Sequence, residues 1–175
     1  MRRLFEIDLK DYEDDYKVYS RPSARAIIFQ QSNKIGLVYS KKENYYKFPG
    51  GGIHQNEDKK EALVREVREE VGLIIIPESI REYGVVMRRQ KSSVSPNTIF
   101  EQENYYYICK VENQIVAQDL DDYEVEAGFI LKFVSLNEAI KVNESYKSAD
   151  FFNEIMINRE TKVLKMIKDE FSYFV

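Results

Sequence analysis

The chain has 175 residues, with 26 basic against 30 acidic side chains and 43% hydrophobic residues. That length supports a core without disulfides or structural metal and fits a single domain over residues 1–175. The net charge of −4 argues against nucleic acid as the main partner, and no apolar run reaches the length of a membrane span. The lone Cys109 excludes an internal disulfide and, with an acidic N-terminus unlike a signal peptide, points to the reducing cytoplasm.

In chain order, Arg3 to Leu9 alternates polar and apolar residues and predicts a strand, followed by an acidic connection at Asp11 to Tyr16. Ala24 to Phe29 and Ile35 to Tyr39 predict a hairpin joined at Gln31-Ser32-Asn33. Pro49 and Gly50-Gly51-Gly52 predict irregular backbone that comes close to something. Asp58 to Val71 predicts a helix with an apolar arc of Leu63, Val64, Val67 and Val71, stopped by Gly72. Tyr83 to Arg89 and Asn104 to Val111 read as strands, with Ser92 to Gln102 as the loop between them. In Tyr105-Tyr106-Tyr107 the alternation of a strand sends at least one ring into the core. Arg88, Arg89 and Lys91 read first as a solvated strand end, with phosphate or ribose binding as the alternative. Asp119 to Glu126 is an acidic loop. Phe129 to Val134 is a strand, and Ser135 with Glu138 caps a short helix over Leu136 to Val142. A last helix runs from Ala149 to Phe171, with Asn158-Arg159 as a candidate break. Strands interleaved with helices predict an α/β fold, a mixed sheet with helices on both faces.

One cluster carries chemistry. Glu66, Glu69 and Glu70 stand at i, i+3 and i+4, so a helix puts them on one face. Like charges that close destabilise the helix unless a cation sits among them, and oxygen ligands suit a hard divalent ion. His54, the only histidine, reads as a surface-loop residue.

The spacing around these glutamates is Gly51, five residues, Glu57, seven residues, Arg65-Glu66-Val67, one residue, Glu69-Glu70, one residue, Gly72-Leu73. It resembles the Nudix box at all nine of its specified positions, and so resembles the Nudix hydrolase superfamily. The resemblance implies a Nudix-type α/β/α sandwich. It also implies Mg²⁺-dependent (or Mn²⁺-dependent) hydrolysis of a nucleoside diphosphate linked to another group, with a small nucleotide as substrate. Glu69 and Glu70 would be the main metal ligands, with Glu66 a ligand or general base. The Gly51 backbone would add a ligand, and Glu57 would support the loop or touch a second metal. Arg65, four residues before Glu69, would hold that glutamate in place. Some family members draw a further glutamate from a downstream loop, which here selects Glu126 first and Glu124 second. His54 and Asn56 depart from common family choices, which bears on loop shape rather than catalysis. Markers of ADP-ribose or dinucleoside polyphosphate specificity are not evident. The alternative expectation is a Nudix domain without catalysis that senses a nucleotide or binds a partner. The N-terminal strand and final helix are candidate surfaces for a homodimer.

Overall fold

In the computed structural model of the chain, residues 1–30, 33–148 and 150–171 are described. The strands are β1 (Arg3–Asp8), β2 (Lys17–Ser20), β3 (Ser23–Gln30), β4 (Lys34–Ser40), β5 (Tyr45–Lys47), β6 (Gly50–Gly52), β7 (Leu73–Ile75), β8 (Arg81–Lys91), β9 (Thr98–Cys109), β10 (Val111–Ile115) and β11 (Phe129–Ser135). The helices are α1 (Lys59–Val71), α2 (Asp122–Ala127), α3 (Leu136–Glu144) and α4 (Phe151–Phe171).

Nine of the strands form one mixed sheet along the path β1-β8-β9-β3-β4-β11, with β2 joined to β9, β5 to β4 and β6 to β3. The β1–β8, β2–β9 and β3–β9 pairs are parallel. β7 and β10 make a separate antiparallel pair.

The two faces follow from the period of two in the strands. On one face Ala24, Ala26, Ile28, Tyr105, Tyr107 and Cys109 pack with Leu63, Val67 and Val71 of α1. On the other, Ile27, Val86 and Tyr106 pack with Ala139 and Ile140 of α3 and Val163, Leu164 and Ile167 of α4. The α/β/α layering expected from the sequence is therefore what forms. All three tyrosine rings of 105–107 are buried, one more step than alternation alone requires, because both faces of the sheet are covered. Burial pushes the Cys109 thiol up to about 12, which suits an inert core thiol.

Several boundaries differ from the sequence reading, each for a tertiary reason. The glycine run is not irregular: Gly50, Gly51 and Gly52 pair with Arg25, Ala24 and Ser23 as a short antiparallel strand. The Ser92 to Gln102 loop is shorter, since β9 begins at Thr98 and pairs with Lys91 through Ile99. The acidic loop contains α2, whose capping box joins Asp121 and Glu124. The last helix continues through Asn158-Arg159 without a break, because Arg159 is buried within it. Gln31, Ser32 and Ala149 lie outside the described residues. Arg88 is not part of a solvated strand end; it is wholly buried, while Lys91 is exposed.

Beneath the glycine strand lies a buried polar network. Glu160 accepts from Phe48 N at 2.8 Å and from Tyr106 Oη at 2.7 Å, and pairs with Arg159 Nη2 at 2.9 Å. These contacts hold the backbone just before Pro49 and Gly50. Removing one partner of a buried pair leaves the other charge uncompensated. Glu160→Ala is therefore expected to destabilise the fold by about 3–5 kcal/mol in urea unfolding. A loss below about 1 kcal/mol would show that the network holds nothing in place.

Candidate active site

Helix α1 presents the carboxylates. Asp58 caps it by accepting from Lys60 N and Glu61 N, and Gly72 ends it in a left-handed conformation. Leu63, Val67 and Val71 dock on the sheet, which fixes the rotation of the helix, turns Glu66 and Glu70 toward the glycine strand and leaves Glu69 on the wall of an acidic cleft.

That strand admits no side chains at two positions. Gly50 has φ +128°, and a Cβ there would lie 2.1 Å from the Ala24 carbonyl oxygen. A Cβ on Gly51 would lie 1.9 Å from Glu66 Oε2, so the Glu66 carboxylate rests directly against the backbone of Gly51.

Arg65 is the hub of the carboxylates. Its Nε and Nη2 donate to the two oxygens of Glu57 at 2.7 and 2.8 Å. Its Nη1 donates to Glu66 Oε1 at 2.8 Å and to Glu69 Oε2 at 3.1 Å, and Nη2 also reaches the Gly52 carbonyl at 3.1 Å. The i, i+4 pairing with Glu69 expected from the sequence is present, and Arg65 additionally clamps the loop through Glu57. The bond from Arg65, helped by a donation from His54 N at 2.8 Å, holds the Glu57 carboxyl down at about 2. Glu57 in return raises Arg65 above its usual range.

Glu70 is different from its neighbours. It is 2% exposed, accepts from Gly50 N at 2.9 Å, and forms a buried ion pair with Lys47. Lys47 also sits 4.4 Å from the centre of the Phe129 ring.

Two cavities meet around this strand. An acidic cleft of about 280 Å³ is lined by His54, Arg65, Glu66, Glu69, Glu70, Asp119, Asp121 and Glu124. A larger pocket of about 580 Å³ is lined by Gly50, Gly51 and Gly52 together with Arg21, Arg25, Lys42, Lys47, Arg88 and Arg159. The first concentrates negative charge and the second positive charge, and Glu70–Lys47 joins them.

The downstream acids separate between these cavities. Glu124 lines the acidic cleft, is buried, and accepts from Tyr123 Oη at 2.8 Å and Asp121 N at 3.0 Å. Burial, then the nearby Glu70 charge, raises its proton affinity. Glu126 lines the basic pocket instead and pairs with Lys42 at 2.5 Å. Glu57 lies outside the cleft wall, occupied with Arg65 and the loop. His54 stays exposed at the rim.

Among the described residues, no three His, Cys, Asp or Glu side chains converge as a ready metal cage. The donor set nevertheless suits a hard divalent cation: every carboxylate bordering the cleft offers oxygen, and their charge exceeds what Arg65 and Lys47 offset.

Arg25 and Lys47, on the cationic side of the site, are not legible in the sequence as site residues. Arg25 interrupts an apolar strand, and Lys47 precedes Phe48-Pro49-Gly50; a charge inside a buried strand was the available signal.

The Nudix domain family profile matches residues 19–154, and the chain belongs to the Nudix family. It is 38% identical over 61 residues to the RNA pyrophosphohydrolase of Acinetobacter baylyi, covering 35% of this chain and 36% of that protein. It is 40% identical over 53 residues to the RNA pyrophosphohydrolase of Halorhodospira halophila, covering 30% and 29%. The chain thus spans about a third of the length of the curated relatives it matches. Among solved structures it resembles the MutT mutator protein of Bacillus halodurans, with TM-score 0.54, 15% identity and coverage of 79% and 80%. It also resembles the ORF135 protein of E. coli, with TM-score 0.51, 22% identity and coverage of 85% and 92%. These likenesses establish the fold.

The Glu57 contact carries a pH signature. Its carboxyl is lowered from 4.5 to about 2, so its stabilisation is complete above about 4.5 and is lost as pH falls toward 2. Wild type and Glu57→Gln are expected to differ most in urea midpoint at pH 7 and to converge between pH 4.5 and 2. A difference that stays constant across that range would remove the Arg65–Glu57 ion pair as its cause.

Proposed function

We propose that the protein is a metal-dependent pyrophosphohydrolase that cleaves a nucleoside diphosphate linked to another group, a nucleoside triphosphate or a nucleotide sugar being the leading forms. The observation that carries this reading is the abutment of an acidic, oxygen-lined cleft and a cationic pocket across a glycine strand. A pyrophosphate needs both: cations for its own charge, and carboxylates for the water and the metal.

Glu66, Glu69 and Glu70, with a backbone carbonyl of the glycine strand, would hold Mg²⁺ or Mn²⁺. When bound, that ion neutralises phosphate charge and makes a coordinated water more acidic. The chain's own residues do the rest. Arg65 fixes Glu66 and Glu69 in place through its bonds at 2.8 and 3.1 Å. Arg25, Lys42 and Lys47 receive phosphate oxygens in the pocket. Water oxygen attacks phosphorus, the bridging P–O bond breaks, and the water proton passes to a carboxylate. Glu124 is the best placed base, because it borders the acidic cleft whereas Glu126 is held by Lys42 on the other side. Glu57 acts as a positioning residue through Arg65.

The name shared by the two relatives adds 5′-phosphorylated RNA to the substrates worth testing, and the basic pocket supports its inclusion. The panel is therefore nucleoside triphosphates, nucleotide sugars and a 5′-triphosphorylated RNA oligonucleotide, each with Mg²⁺ and with a chelator. Phosphate or pyrophosphate release is the readout. Turnover that requires the metal is expected for at least one class. No metal-dependent release from any of them would favour a ligand-binding Nudix domain instead.

On the best substrate, Glu69→Gln should lower kcat by at least about a hundredfold, and an unchanged rate would sink the assignment. Glu124→Gln should cost about 10²–10⁴-fold, with Glu126→Gln far milder. The reverse order would move the base to Glu126.

A further inference from the structure

The wall of the basic pocket farthest from the glycine strand contains a cation that the hydrolytic chemistry does not use. Arg88 is 0% exposed, yet it forms no ion pair among the described residues. Its guanidinium lies 4.0 Å from the centre of the Phe152 ring and 5.8 Å from that of Phe100. Nε donates to Gln90 Oε1 at 2.7 Å and Nη2 to the Phe152 carbonyl at 3.4 Å. Nη1 is buried and has no hydrogen-bond partner among the described residues. A guanidinium held in an aromatic slot with one nitrogen unsatisfied is costly unless something else completes it.

The surroundings say what kind of group that is. Three acceptors beside Arg88 are already engaged: Gln90 Oε1 and the Phe152 carbonyl by Arg88 itself, and Gln102 Oε1 by Arg159 Nη1 at 3.2 Å. What Arg88 itself still offers a ligand is a donor, Nη1. An unsatisfied guanidinium donor takes an acceptor edge, and an amino group brought to Nη1 would set donor against donor.

Position selects among acceptor groups. Arg88 is opposite Gln102 in β8–β9, Ser23 is opposite Asn104 in β3–β9, and Ser23 is opposite Gly52 in β3–β6. Arg88 is thus three strand spacings from the glycine strand, about 14 Å across the sheet. That is the reach of a nucleoside plus an arginine side chain, so a diphosphate seated at the glycine strand brings its base, rather than its phosphates, to Arg88. Asn153 and Met156 of α4 line the same end of the pocket and complete a slot between the sheet and the helix.

We propose that Arg88 is the base-selecting residue of this pocket, donating from Nη1 to a keto oxygen and so favouring 6-keto purines over 6-amino purines. This rests on the pyrophosphohydrolase reading for where the diphosphate sits, and it makes a claim of its own about the nucleobase.

The test compares inosine with adenosine nucleotides, which differ at the 6-position. For the wild-type protein, kcat/KM for inosine triphosphate should exceed that for adenosine triphosphate by about tenfold or more, the discrimination an arginine contact to a keto edge provides. Calorimetric binding of the two nucleoside monophosphates should show the same preference without turnover. That measurement separates failure of this proposal from failure of the hydrolytic one: keto preference in binding without hydrolysis keeps Arg88 and rejects only the reaction. Arg88→Met, which removes the donors and keeps the stem, should bring the ratio close to one, and Arg88→Lys should recover part of it. A wild-type ratio near one overturns the proposal whatever the variants do, and it remains decisive if Arg88→Met does not fold. A folded Arg88→Met protein that keeps the preference overturns it as well. Tighter binding of adenosine 3′,5′-bisphosphate than of adenosine monophosphate, lost in Arg88→Met, would assign Arg88 to a second phosphate and overturn the keto reading.

Discussion

The contact between the Glu66 carboxylate and the bare backbone of Gly51 is the constraint on which the site depends. A side chain at Gly51 would occupy the position of Glu66 Oε2, and one at Gly50 would collide with the Ala24 carbonyl. Because neither exists, β6 lies flat between β3 and α1, and the acids of the helix meet the strand at van der Waals distance. Everything else follows from that thin partition. The acidic cleft opens on one side of it and the cationic pocket on the other.

Crowded charge of this kind needs internal compensation, and the chain supplies it with very few residues. Arg65 alone touches Glu57, Glu66, Glu69 and the Gly52 carbonyl, so one guanidinium spaces three carboxylates and pins the loop. Lys47 compensates Glu70 inside the protein, where an unpaired charge would be costly. Below them Glu160 anchors Phe48 N and Tyr106 Oη, which ties the approach to the glycine strand into α4. The site is thus stiffened from two directions, by a surface clamp and by a buried network. Its carboxylates are preorganised before any ligand arrives.

The downstream acids show how little separates a pocket-lining residue from a surface one. Glu124 and Glu126 are two positions apart on the single turn-and-a-half of α2. They face different cavities, since two residues along a helix rotate a side chain by more than half a turn. Seen as a loop, the segment puts Glu126 first, and only the helix shows that Glu124 is the one on the acidic cleft. Its capping box was in the sequence, with Asp121 and Glu124 three apart, but the run of acids masked it.

The sequence by itself determined the carboxylate helix, its stop at Gly72 and the Arg65–Glu69 pairing. All are local, set by spacings of one helical turn or less. It also determined the α/β/α layering, because strand runs interleaved with the helical periodicity of α1 and α4 are readable without partners. Only the tertiary structure decided that the glycines form a strand, that Arg88 is buried rather than solvated, and that Lys47, Arg25 and Arg159 gather opposite the acids. These depend on pairings across many residues, such as Gly51 with Ala24 and Arg88 with Gln102. No local pattern encodes them. A charged side chain becomes a buried one only when a distant helix closes over it, and α4 does that for Arg88 from more than sixty positions along the chain.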